Sequence, residues 1–136
     1  MPVTTKIFIN LPVKNLKNSV EFFTTLGFSF NPQFTDENAT CMIVAADIFV
    51  MLLVEARFAE FTPKPVADAS KTTEVLTCLG LDSKASVDTM VDAALRSGAT
   101  KAKEPTDHGF MYGRSFNDLD GHIWEIIWMD PAHVQA

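Results

Sequence analysis

The stretch Gly113-Arg114-Ser115-Phe116-Asn117-Asp118-Leu119-Asp120-Gly121-His122-Ile123-Trp124-Glu125-Ile126-Ile127-Trp128-Met129 decides the fold. Two apolar runs of strand character flank a short polar loop that ends in Asp120-Gly121. Glycine takes a positive φ without a Cβ clash, so the pattern predicts a tight β-hairpin. Side chains alternate along a strand. Trp124, Ile126 and Trp128 therefore share one face, and Ile123, Glu125 and Ile127 share the other. A carboxylate in the middle of so apolar a strand is costly to bury unpaired. Glu125 must line a wet cavity or have a partner.

The chain around this hairpin has 136 residues, enough for one domain with a real core. It is 47% hydrophobic and 21% charged, as globular domains are. Eleven basic residues against 17 acidic ones give a net charge of −6, with no basic patch, which speaks against nucleic acid and anionic membranes as partners. Cys41 and Cys78 lie in apolar runs without metal-type spacing, and read as buried thiols in a reducing compartment. Lys6 is followed by an amphipathic strand rather than the apolar core of a signal peptide. No apolar run approaches the roughly 18 to 20 residues that span a bilayer. The expectation is a soluble cytoplasmic protein.

Upstream, residues 6–13 read as a first strand, with Ile7, Ile9 and Leu11 on one face and Phe8 and Asn10 on the other. Asn15 is a fair N-cap for a helix to about Leu26, whose stripe would be Leu16, Val20, Phe23 and Leu26, closed by Gly27. Strands follow at 28–34 (broken by Pro32), 41–45 and 48–55, with a loop at 35–40. Residues 57–71 carry Pro63 and Pro65 and no clear period, and read as a linker whose Phe58 and Phe61 dock on something else, such as a cavity mouth or a partner chain. Then the order repeats about 70 residues on: a strand at 74–82, a helix capped by Ser86 with Asp88 in its first turn, a stripe of Val87, Val91, Ala94 and Leu95, a stop at Gly98, a strand at 99–103, and the hairpin.

The chain resembles the vicinal oxygen chelate superfamily, the group of glyoxalase I, extradiol dioxygenases and the fosfomycin- and bleomycin-resistance proteins. The resemblance rests on Leu11-Pro12-Val13-Lys14-Asn15-Leu16, Ser19-Val20-Glu21-Phe22-Phe23, Leu26-Gly27-Phe28, and the run from Phe116 to Glu125. That run is similar to the superfamily's Asp-Pro-Asp-Gly-His turn, with Leu119 where proline is usual. The resemblance spans residues 4–130 or so. It implies an α+β fold of two βαβββ modules, at about 4–56 and 73–130 with a linker at 57–72, in a single domain over 1–136. Each module would be a curved half-barrel sheet with its helix on the convex side. A small-molecule pocket on the concave side and a homodimer are implied as well.

Metal-using members of the superfamily hold a divalent ion with inward His and Glu groups from the first, fourth, fifth and eighth strands. Carried over, these positions fall on Phe8, Met51, Leu76 and Glu125, and only Glu125 is a ligand type. The three histidines, His108, His122 and His133, all lie in the last quarter. One carboxylate does not hold Zn²⁺, Ni²⁺ or Fe²⁺, which take three or more protein ligands; Asn10, Glu55 and Glu74 are the remaining oxygen donors. The expectation is no metal or other cofactor. Tyr112 and Arg114 share a face; turned to the cavity they would bind an anionic or hydroxylated ligand, and otherwise Arg114 pairs with Glu125 or Asp118. His108 reads as a surface histidine, or else as a general base.

The first functional expectation is metal-independent binding or sequestration of a small molecule, of the bleomycin-resistance type, in a pocket with Phe8, Asn10, Met51, Leu76, Tyr112, Arg114 and Glu125. The alternative is a metal-dependent lyase, isomerase or dioxygenase of the glyoxalase I or extradiol kind, with Glu125 as ligand and catalytic base. An interaction module without a small ligand is the third reading, favoured if Phe8, Met51 and Leu76 pack the cavity solid.

Overall fold

The computed structural model describes residues 2–133. It divides into two compact units, Met1–Ala67 and Asp68–Ala136. Each is an α+β module of the order βαβββ, an open curved sheet with a helix on its convex face.

The first unit contains β1 (Ile7–Val13), α1 (Leu16–Thr25), β2 (Ser29–Asn31), β3 (Ala39–Ala45) and β4 (Ile48–Val54). The sheet order is β1-β4-β3-β2, with β1 parallel to β4 and the other pairs antiparallel. Cross-strand partners project to the same side. Leu11 and Leu52 therefore share a face with Met42 and Val50, and all four are buried with Phe22, Phe23 and Leu26 of the helix segment. Phe22 and Phe23 meet edge to face at 4.9 Å. Asn15 caps α1 by accepting from the Asn18 amide at 3.0 Å. Phe23 and Leu26 are buried as expected, but the rest of the stripe is rotated: Ser19 and Phe22 are buried, while Leu16 and Val20 are only half-buried. Two adjacent phenylalanines offer more apolar area to the sheet than Leu16 and Val20 do, and the helix turns to bury them.

Pro32 ends β2 rather than interrupting a longer strand. Asn31 accepts from the Gln33 amide at 3.0 Å, and Pro32–Phe34 form a 3₁₀ turn. Asp36 accepts from the amides of Asn38 and Ala39 at 2.7 and 3.0 Å, which starts β3 two residues earlier than the sequence indicates. Glu55 opens a helix, α2 (Glu55–Ala59), where the sequence suggested the end of a strand and an irregular linker. At five residues, α2 is too short to show a helical period in sequence. Phe58 is half-buried within it, and Phe61 stays 75% exposed, so only the first docks on its unit.

The second unit contains β5 (Leu76–Gly80), α3 (Lys84–Arg96), β6 (Thr100–Lys101), β7 (Thr106–Asp107), β8 (Met111–Asn117) and β9 (Ile123–Met129). Its order is β5-β9-β8-β6, with β7 also on β8, and β5 runs parallel to β9. The two-residue β7 is an addition to the expected order. Ser83, not Ser86, caps α3: its Oγ accepts from the Ser86 amide at 3.0 Å. Ser86 sits in the first turn, its hydroxyl donating to Asp82 at 2.7 Å. Both serines suit a cap by type, and the extended backbone of Ser83 decides between them (φ −160°, ψ 160°). Val87, Val91 and Ala94 are buried as expected, whereas Leu95 is 36% exposed. They meet Phe116, Trp124 and Ile126, each at most 1% exposed.

The hairpin loop is built on Asp118. Its carboxylate accepts from the amides of Asp120 (2.9 Å) and His122 (3.0 Å) and from the Trp124 indole N–H (2.9 Å). Gly121 has φ 92°. Among the described residues no helix is long and apolar enough to cross a membrane.

Candidate functional site

In each unit, the sheet face turned away from the helix carries most of the residues nominated from sequence. In the first unit, Phe8 stacks on Phe49 with centroids 5.0 Å apart and planes 16° from parallel. Asn10 lies across from Met51, and Met51 across from Cys41. The Asn10 side-chain amide turns back to the Phe8 carbonyl at 3.4 Å. Phe8 is 47% exposed, so the face is not packed solid around it. A groove of about 420 Å³ in the same unit lies on the helix side, between α1 and residues 35–40, and contains none of the nominated residues.

In the second unit, register puts Cys78, Glu125 and Ser115 side by side across β5, β9 and β8. Leu76 pairs with Ile123, and Gly113 with Ile127, on the same face. Leu76 is 54% exposed. Glu125 does have a partner: the Lys103 ammonium lies 2.8 Å from Oε2. The Glu125 side chain is only 22% exposed, the Lys103 side chain 61%. The Ser115 hydroxyl accepts from the Lys103 amide at 3.2 Å, which ties the chain after β6 to the centre of the sheet. Burial pushes the Cys78 thiol up; the Glu125 charge adds to the shift and Lys103 opposes it. The thiol therefore stays protonated at neutral pH and is a poor nucleophile.

Tyr112 and Arg114 are not part of this face. Tyr112 pairs with Trp128 and Arg114 with Ile126, the helix-facing set. The Tyr112 hydroxyl donates to Asp88 at 2.6 Å, and one Arg114 nitrogen reaches Asp88 at 3.0 Å and Asp92 at 2.9 Å. The ligand-binding role expected of them is corrected to a latch between β8 and α3. Arg114 pairs with neither Glu125 nor Asp118. For Glu125 the reason is parity: Arg114 is one residue from Ser115, which lies across from Glu125, and a single step along a strand changes face; the Asp118 carboxylate is taken up by the Asp120, His122 and Trp124 N–H groups. Asp88 likewise serves this latch rather than the first turn of its helix.

The latch titrates. Its bond to Asp88 pushes the Tyr112 phenol up, and burial adds to the shift. The Tyr112 hydroxyl holds the Asp88 carboxyl down, with Arg114 assisting against desolvation. A raised phenol contributes stability below the free phenol's pKa and loses it as pH climbs through the folded value. A lowered carboxyl contributes above the ordinary carboxylate range and loses it in acid. Tyr112→Phe is therefore expected to cost about 1 kcal/mol at neutral pH. In paired urea titrations at rising pH, that difference should close above about pH 10. A difference that stayed constant into strong alkali would assign the loss to packing.

His108 and Phe110 stack at 6.1 Å, and Phe110 and His133 at 4.0 Å. His122 belongs to the hairpin turn, its amide held by Asp118. Cys41 is buried, as expected, but Cys78 is exposed on the Glu125 face. Sequence reasoning missed Lys103 and Ser115. Lys103 is 22 residues from Glu125, and no spacing rule connects a lysine after one short strand to a carboxylate on another.

The superfamily's metal does not fit the residues present. Phe8 and Leu76 offer no lone pair and Met51 only a soft thioether, so Glu125 is the sole hard donor of the four positions. Among the described residues no three His, Cys, Asp or Glu side chains converge as a metal site.

The paired βαβββ modules define the protein as one of glyoxalase-type fold. Residues 5–45 match the family of bleomycin resistance protein-like N-terminal regions. Among solved structures, hypothetical protein SA1046 from S. aureus is 27% identical with a TM-score of 0.78, covering 93% of this chain and 95% of that one. A glyoxalase/bleomycin resistance protein/dioxygenase family enzyme from Burkholderia phytofirmans PsJN is 16% identical (TM-score 0.73; 90% and 96% covered). A bleomycin resistance determinant encoded on the transposon Tn5 is 18% identical (TM-score 0.63; 93% and 99% covered). No curated protein sequence matches the chain. The fold is the one these glyoxalase and bleomycin-resistance structures share, as the turn and the repeat led us to expect.

Proposed function

We propose that the protein binds a small organic molecule without a metal, by sequestration of the bleomycin-resistance type. Its binding surface is the sheet face of the second unit that carries Glu125, Leu76 and Cys78; Phe8, Asn10 and Met51, on the corresponding face of the first unit, are taken as a ligand-contacting surface of that unit by itself. The observation that supports this reading is the chemistry of that face. A single carboxylate, 22% exposed, stands among apolar and weakly polar side chains, a setting that orients a ligand through one polar group. The donor set supports metal independence, since three of the four superfamily positions are Phe8, Met51 and Leu76. Tyr112 and Arg114 have no place in the reading. In keeping with the superfamily resemblance, the working form is taken to be a cytoplasmic homodimer, which sedimentation velocity would check as twice the 15.0 kDa chain mass.

The test is metal content after incubation with Zn²⁺, Ni²⁺, Fe²⁺ and Mn²⁺ and desalting. The expected result is far less than one ion per chain, unchanged in Glu125→Ala. Near-stoichiometric metal that disappears in Glu125→Ala would overturn the reading. It would put in its place a metal-dependent lyase, isomerase or dioxygenase, with Glu125 as ligand.

A further inference from the structure

The Glu125–Lys103 pair is asymmetric, and the asymmetry has a direction. Glu125 is fixed in the middle of β9, between Cys78 and Ser115, and is 22% exposed. Lys103 reaches it from the segment after β6 on a flexible four-carbon stem, and its side chain is 61% exposed. The Lys103 backbone is held separately, by the hydrogen bond that its N–H donates to Ser115 Oγ. The ammonium can therefore leave the carboxylate by side-chain rotation alone, with the main chain in place. An ion pair with one partner this exposed is weak, and a lysine loses little by returning to water.

We propose that Lys103 is a displaceable counter-ion that occupies the seat of a ligand's cationic nitrogen, so that the molecule bound is an organic cation with an apolar body. The inference rests on the ligand-binding reading of this face. An anionic ligand is disfavoured, because any group that reached the Lys103 ammonium where it stands would meet the Glu125 carboxylate 2.8 Å from that ammonium. A ligand cation restores to the part-buried carboxylate the partner it needs, and the chain's net charge of −6 favours its approach. Lys103 is then a specificity-determining residue. It raises the threshold for binding, and admits only cations whose apolar body also gains contact with Leu76, Ile123 and Ile127.

Three probes that share a naphthalene body test this: 1-naphthylmethylamine, 1-naphthylmethanol and 1-naphthylacetate, the anion of 1-naphthylacetic acid. Affinity is measured by calorimetry, and occupancy of the face by protection of Cys78 from N-ethylmaleimide, which alkylates an exposed thiol at neutral pH even where the thiolate is scarce. Wild type should bind the amine best. Lys103→Met should tighten the amine about tenfold, roughly 1.4 kcal/mol, and leave the alcohol within about twofold. Lys103→Arg keeps the competing cation and should stay close to wild type. Glu125→Gln should abolish the preference for the amine. If Lys103→Met leaves amine affinity unchanged or weakens it, or if the acetate binds best, the proposal is wrong. If alcohol and amine bind alike with Cys78 protected, the proposal fails while the binding reading stands. If no probe binds any variant or protects Cys78, both fail together.

Discussion

Asp118→Ala should cost about 3 kcal/mol of unfolding free energy, one of the two largest losses expected from a substitution in the hairpin. The carboxylate is 7% exposed and holds three donors: the amides of Asp120 and His122 and the indole N–H of Trp124. The two amides lie in a half-buried loop, where water can replace the lost acceptor in part. The indole of Trp124 is 1% exposed and has no such recourse. An unsatisfied buried donor costs about 1–3 kcal/mol by itself, and hydrogen bonds to a charged group contribute about 1.5–3 kcal/mol each. Part of this is returned, since the buried carboxylate itself carries a desolvation penalty. That penalty pushes the Asp118 carboxyl up, against His122 and the bonded N–H groups. Asp118→Asn keeps an acceptor oxygen and should cost roughly half as much. Urea unfolding of both variants decides it. Equal, small losses would mean that the loop rebuilds itself without the side chain, and that the Asp-centred turn is not what sets the hairpin.

Gly121→Ala should be of similar size, about 2–4 kcal/mol, for a different reason. Gly121 has φ 92°, a conformation that costs an L-residue about 1–2 kcal/mol. A Cβ at this position would also lie 2.8 Å from the Ser70 amide nitrogen and Cα, and 2.9 Å from the Ala69 carbonyl oxygen. These are backbone atoms and cannot rotate away. Gly27→Ala is the control, because its φ is 103° but a Cβ there would meet nothing within 4 Å. The loss at Gly27 reports conformational strain alone, and the excess at Gly121 reports the clash. If the two variants lose the same stability, residues 69–70 yield at no cost and the close approach has no structural weight.

Much of the architecture could be read before the structure was known, and for local reasons. The hairpin was legible because Asp120-Gly121 and the alternation of 123–129 are short-range signals. Asn15 and Gly27 delimited the first helix by cap chemistry, and the recurrence of the same order 70 residues on made the modular repeat visible. The elements that were misread lack such signals. Helix α2 is too short for a period, and the choice between Ser83 and Ser86 depended on a backbone angle rather than on residue type. The buried stripe of α1 depended on how two adjacent phenylalanines met the sheet.

By itself, then, the sequence determined the order of the longer elements, the turn at Gly121, and the fact that Glu125 would stand opposite Trp124 on its strand. These follow from the two-residue period of a strand and the conformational freedom of glycine, which act over a few residues. Only the tertiary structure decided which partners the charged groups take. Glu125 is joined to Lys103 across 22 residues, and Arg114 is turned away to Asp88 and Asp92 on α3. Ion pairs are set by distance in space. The register of β8 against β9 and the packing of α3 on the far face create those distances, and no spacing along the chain encodes them.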